Sequence, residues 1–187
     1  DNIRLEKIDA PVTPAQPGGA ELLKDTSFTD PSANWISNKN ATTGVSYTNG
    51  VAIWTVAGIA GGNDYDVQMM QKGIQLEKGS TYELAFTAES TASRAIKWDI
   101  MSTSYDWYGG ERVDLEANVP KAVTGRFTMA KDTDIDSLLA ISMGQLKDGG
   151  QPLAAPDSTI RISGISLKKV DSTPSAGENL LTNGDFT

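Results

Sequence analysis

The 187-residue chain contains no cysteine and no histidine. Without Cys there is no disulfide, thiolate nucleophile or zinc knuckle; without His there is no Ser-His-Asp triad and no imidazole-ligated metal. Any catalysis would fall to carboxylates, Lys or Tyr, and any metal would be a hard cation held by oxygen. Positive charge is scarce too. Sixteen Lys and Arg stand against 24 Asp and Glu, a formal net charge of −8, and no segment concentrates the basic residues. Nucleic acid and anionic membrane are therefore poor partners. No apolar run approaches the roughly 18–20 residues that would span a bilayer. The first residues do not read as a leader segment, and a chain starting at Asp1 is expected to be an excised piece of a longer protein. The length suits one domain with short appendages. A Cys-free, acidic composition rich in Thr, Ser, Gly and Asn suits a secreted or cell-surface bacterial module.

What is present is, first, a repeat at the two ends. Residues 1–9 (DNIRLEKID) resemble 163–171 (SGISLKKVD), with Ile3, Leu5 and Lys7 matching Ile165, Leu167 and Lys169. Residues 21–29 (ELLKDTSFT) resemble 179–187 (NLLTNGDFT), with Leu22, Leu23, Phe28 and Thr29 matching Leu180, Leu181, Phe186 and Thr187. The two matches come in the same order, which chance similarity of short amphipathic strands explains poorly. Between them lie APVTPAQPGG (10–19) and STPSAG (172–177), compositions typical of short extended spacers. A tandem array is expected: residues 1–9 the last strand of a preceding module, 10–19 a linker, 20–171 a whole module, 172–178 a linker, and 179–187 the first strand of a following module.

Inside 20–171 almost every apolar pattern has period two, the signature of half-buried strands. Residues 45–48 and 51–57, separated by Asn49-Gly50, predict a hairpin with a type I′ turn. Further strands are expected over 65–71, 81–89, 95–101, 124–129, 138–143 and 159–170. No window supports a long amphipathic helix. The fold class expected is all-β: a β-sandwich of two antiparallel sheets, a jelly roll with a concave binding face. Alternation places Ile96, Trp98 and Ile100 in the core, with Ala95, Lys97, Asp99 and Met101 on the other face; Tyr82, Leu84 and Phe86 form a second apolar face. Trp54 lies in a strand apolar on both faces, and parity does not decide it.

Aromatics outside that core pattern carry the functional signal. Tyr105, Trp107 and Tyr108 lie in STSYDWYGGER (102–112), expected as a Gly-terminated loop, and Tyr65 lies in GGNDYDVQ (61–68). A pyranose has an apolar C–H face that stacks on an exposed ring and hydroxyls that seek planar amide, carboxylate or guanidinium partners. The alternative is a small core of these rings beneath their own loop. Asp64, Asp66, Asp99, Asp106, Glu111, Asp114 and Glu116 surround the region, but no signature marks two of them as a glycosidase pair. Residues 132–136 (DTDID) imitate the start of an EF-hand loop. Ser137 and Met143, however, stand where Gly and Glu should, so a solvated acidic turn is expected.

YDVQMMQKGIQLEKGSTYELAFTAES (65–90) resembles the carbohydrate-binding modules of families 4, 9 and 16. LLKDTSF (22–28) with Trp35, SRAIKW (93–98), ISMG (141–144) and ISGISLKKV (162–170) extend the resemblance over 20–171. It implies a jelly roll whose concave face holds a single β-glycan chain, and a non-catalytic module that keeps a secreted glycoside hydrolase on its polysaccharide. Residue by residue, it implies Tyr65 as a sugar-stacking platform, Gln68 as a hydroxyl partner and Tyr105, with Trp107 nearby, as a second platform. Arg112 matches a basic residue at the cleft edge, and Gln145 a polar cleft position. Lys97 and Asp99 join the binding set by parity. Family members often hold a structural calcium between an acidic residue after the N-terminal Phe and an Asp in the last strand. Thr29 and Ser163 stand at those places, so no metal or other cofactor is expected. The partners implied are a neutral β-glucan, xylan or mannan, linked neighbouring modules and a catalytic domain. A structural or adhesive spacer is the competing expectation.

Overall fold

A computed structural model describes residues 18–170. The expected terminal strands 1–9 and 179–187, and the second linker, lie outside the described residues. The described residues form one short α-helix, α1 (Pro31–Asn34), and twelve strands: β1 (Ile36–Asn38), β2 (Gly44–Thr48), β3 (Val51–Val56), β4 (Gln68–Leu76), β5 (Thr81–Ser90), β6 (Arg94–Met101), β7 (Trp107–Leu115), β8 (Lys121–Thr128), β9 (Asp134–Ser142), β10 (Lys147–Asp148), β11 (Gln151–Pro152) and β12 (Ser158–Lys169).

Two five-stranded sheets face each other, ordered β1-β4-β9-β6-β7 and β2-β3-β12-β5-β8, while β10 and β11 form a separate small hairpin. Successive strands repeatedly cross from one sheet to the other, and the strand pairs are antiparallel. This is the β-sandwich that the period-two pattern implies. In β5 the alternation is complete: Tyr82, Leu84, Phe86 and Ala88 are buried and their neighbours half-buried. Ile96, Trp98 and Ile100 of β6 enter the same core, and so does Trp54, which parity left open. Asn49 and Gly50 have φ of 50° and 77°, the left-handed pair a type I′ turn requires.

Three local differences from the sequence reading have physical causes. Tyr65 lies in a 3-10 turn (Asp64–Asp66), not in a strand, because Asn63 and Asp66 cap each other across the turn. The 102–112 segment is a hairpin rather than a loop, with Trp107 and Tyr108 inside β7. Its glycines respond to packing: a side chain at Gly109 would meet the Phe127 ring, and one at Gly110 would meet the Trp98 carbonyl and Asp99. Residues 21–29 contribute an isolated bridge, Glu21 to Lys168, in place of a strand. The Glu21 carboxylate accepts from the Leu167 N–H at 2.8 Å and the Ser166 hydroxyl at 2.6 Å, fastening the segment to β12.

Candidate functional site

Register turns the outer face of the first sheet into rows that run across its strands. Asn38, Gln68, Ser142, Lys97 and Arg112 align as a polar row. Beside it run Ile36, Met70, Ala140, Asp99 and Gly110, and then Leu138, Met101 and Trp107. Small or buried residues of β9 make the middle low, and a cleft of about 730 Å³ opens above them, lined by residues of β1, β4 and β6 together with Asp64, Tyr65 and Tyr105. With strands about 4.8 Å apart, hydrogen-bonding groups lie along one side of this floor, and methyl and thioether groups, interrupted by the Asp99 carboxylate, along the other.

A tyrosine stands on each rim. Tyr65 is 54% exposed and Tyr105 73% exposed, so neither ring is folded into a core beneath its own loop. The Tyr65 rim is tied to β1 and β9. Asn38 donates its amide to the Tyr65 carbonyl at 2.7 Å, and the Gly144 and Gln145 N–H groups donate to the Asp64 and Asn63 carbonyls at 3.0 and 3.2 Å. Gly144 is required there, since a Cβ would collide with those two carbonyl oxygens.

The Tyr105 rim is a tight hairpin tip. Ser102 accepts the Tyr105 N–H on its carbonyl at 3.0 Å and the Ser104 and Asp106 N–H groups on its hydroxyl. Tyr105 itself sits at φ 69°, a slot that such hairpins normally give to Gly. For an L-residue this conformation costs roughly 1–2 kcal/mol, and strain of this kind concentrates where a side chain has a task. Tyr105→Gly is therefore expected to stabilise the fold by about 1 kcal/mol, less the extra chain entropy of glycine, while weakening ligand binding. Paired melting curves and titrations check this; a variant that is less stable contradicts it.

At β6 the cleft holds an ionic chain. The Lys97 ammonium lies 2.6 Å from Asp64 Oδ2 and 3.0 Å from Asp99 Oδ2, and the Trp107 indole N–H donates to Asp99 Oδ1 at 3.2 Å. Burial works against the Lys97 charge, but its bonds to both carboxylates outweigh that and raise its pKa above the ordinary lysine value. Burial pushes the Asp99 carboxyl up, against the downward pull of Lys97 and the indole. Asp99 thus faces the cleft, as parity requires, yet is almost fully covered.

Of the residues expected from sequence, the cleft brings together Tyr65, Gln68, Lys97, Asp99 and Tyr105. Gln68 donates to the Ser142 hydroxyl at 2.9 Å. Trp107 is exposed but contributes to the side-chain chain rather than to the main lining. Arg112 and Gln145 lie outside it, beside a smaller hollow of about 210 Å³ that shares only Asp64 and Lys97 with the cleft. Arg112 is fixed by Asp114 and Asp148, each at 2.8 Å. Gln145 braces the backbone, accepting from the Gly61 N–H at 2.6 Å and donating to the Leu153 carbonyl at 3.0 Å. Sequence reasoning missed Ile36, Asn38, Met70 and Met101, which line the floor. At the calcium position of the family resemblance, the Thr29 hydroxyl donates to Asp25 at 2.8 Å and Ser163 pairs within the second sheet. Neither offers a carboxylate, so these residues do not fit that ion.

No helix among the described residues is long and apolar enough to cross a membrane. No curated protein matches the chain. Among solved structures, a CBM4 domain is similar at 20% identity, covering 79% of this chain and 99% of that one, with a TM-score of 0.61. The second N-terminal cellulose-binding domain of Cellulomonas fimi β-1,4-glucanase C is similar at 20% identity over 81% of this chain and 95% of its own, TM-score 0.60. The CBM22-1 xylan-binding domain of Paenibacillus barcinonensis Xyn10C is similar at 10% identity over 83% and 98%, TM-score 0.55. These likenesses establish the sandwich. The family model for the carbohydrate binding domain CBM_4_9 matches residues 20–158, and the chain belongs to that family of non-catalytic, carbohydrate-binding modules.

Proposed function

We propose that the cleft binds a neutral β-linked polysaccharide, a glucan, xylan or mannan, and that the module targets an attached secreted glycoside hydrolase to this substrate. The observation that carries the reading is the pair of exposed tyrosines on opposite rims of a floor that is polar on one side and mostly apolar on the other. Ring stacking contributes roughly 0.5–1.5 kcal/mol per platform beyond area burial, by analogy with aromatic pairs. Gln68 and Asn38 supply amides for the hydroxyls, and Met70 and Met101 supply adaptable apolar contact. Two carboxylates against one ammonium in the cleft, on a chain of net charge −8, disfavour a polyanionic glycan. The cellulose- and xylan-binding names of two similar structures suit the same ligand class.

No metal and no covalent step enter this reading. Asp64 and Asp99 share the Lys97 ammonium, whereas a glycosidase needs one carboxyl held protonated and the other free to attack or to activate water. A module at 20–171 within a tandem array would act through local concentration, with linked copies multiplying avidity. Isothermal titration against gluco-, xylo- and manno-oligosaccharides, with polygalacturonate as the anionic control, tests the proposal. Binding to at least one neutral series is expected. Silence toward all three would leave the spacer reading in its place.

A further inference from the structure

Asp64, Lys97, Asp99 and Trp107 are not scattered over the cleft. They form one unbroken chain of contacts, 2.6, 3.0 and 3.2 Å long in turn. Its direction matters. Asp64 belongs to the turn that carries Tyr65 on one rim, Lys97 and Asp99 follow each other along β6, and Trp107 heads β7 beside the Tyr105 rim. The chain therefore runs along the strand and joins rim to rim, whereas the cleft runs across the strands. On one side lies the 730 Å³ space; on the other lies the separate 210 Å³ hollow bounded by Arg112, Gln145 and Lys147. The two spaces share Asp64 and Lys97 alone.

We propose that this chain is a stop that closes the cleft at β6, so that the site takes the end of a glycan chain or a short oligosaccharide and does not thread the interior of a long one. The inference rests on the glycan reading above and deepens it. Opening the stop would strip a nearly covered Asp99 of its ammonium partner, and a buried charge left unpaired is costly. The open end of the cleft, at Ile36 and Asn38 of the short edge strand β1, has no comparable barrier among its lining residues.

The test is a titration of the wild-type protein with purified neutral oligosaccharides of increasing length and with a long fractionated chain of the same linkage. A stop predicts affinity that levels off once the cleft is filled, and one protein bound per glycan chain however long the chain is. An uninterrupted groove predicts several proteins bound along each long chain, and that result overturns the stop while leaving the glycan reading intact. Silence toward every oligosaccharide overturns both. A second measurement uses Lys97→Met, with folding checked by its melting curve. Removing the ammonium is expected to raise the ratio of long-chain to short-chain affinity by about tenfold, the equivalent of one further good contact. An unchanged ratio in a folded variant contradicts the role assigned to Lys97.

Discussion

Replacing Tyr65 and Tyr105 together by alanine is expected to lower glycan affinity by about 100-fold or more. Each ring offers a flat apolar face, and covering one removes area from water at about 25 cal/mol per Å², or roughly 1.5–3 kcal/mol for a large side chain. Two platforms together exceed about 2.7 kcal/mol, which is two decades of Kd. The fold should barely notice. Both rings are more than half exposed and neither belongs to the core, so the melting temperature of the double variant should match the wild type within a few degrees. Single variants should each lose part of the affinity, because in the proposed binding mode the two rims hold the ligand from opposite sides. Titration of the two single variants and the double variant gives the comparison; binding at wild-type strength by the double variant would remove the tyrosines from the site.

Arg94→Met is expected to have the largest effect on stability. The guanidinium is buried at the start of β6 and donates to the Ser158 hydroxyl at 2.9 Å, to the Gly144 carbonyl at 3.2 Å and to the Met143 carbonyl. Burial lowers its pKa to about 10, so it stays charged at neutral pH. Hydrogen bonds from a charged donor contribute about 1.5–3 kcal/mol each, and buried acceptors left unpaired add to the loss. A destabilisation of about 3 kcal/mol or more follows, about 6–12 °C in melting temperature for a domain of this size. The effect should also reach the cleft. The segment that Arg94 grips is the one whose N–H groups hold the Asn63, Asp64 and Val67 carbonyls, at 3.2, 3.0 and 2.8 Å. Glycan affinity of the variant should therefore fall even at temperatures where it is fully folded. A melting temperature within a degree or two of the wild type would contradict this account of Arg94.

The sandwich was legible because strand burial writes itself into local order. In β5 and β6 the alternation alone sorted Tyr82, Leu84, Phe86, Ile96, Trp98 and Ile100 into the core. The Asn49-Gly50 turn was legible because only a few residues tolerate two left-handed conformations in succession. Strand β7 was hidden because Gly109 and Gly110 answer to Phe127, Trp98 and Asp99 across space, not to any strand preference of their own. The exposed rings of Tyr65 and Tyr105 stood out as aromatics beyond the core pattern. Half of the floor did not. Ile36 and Asn38 belong to a strand of three residues, and they meet Met70 and Gln68 only through cross-strand register. The family resemblance put Arg112 and Gln145 at the cleft, but their hydrogen bonds commit them to Asp114, Asp148, Gly61 and Leu153, contacts made across space that no local pattern announces.

The direct test of a glycan-binding cleft on the first sheet is a chemical-shift titration of labelled protein with a neutral β-linked oligosaccharide that it binds. Amide shifts should move at 36–38, 64–70 and 97–105, and stay still along β2, β3 and β8 on the opposite sheet. Shifts confined to the opposite sheet, or to neither sheet, would contradict the account.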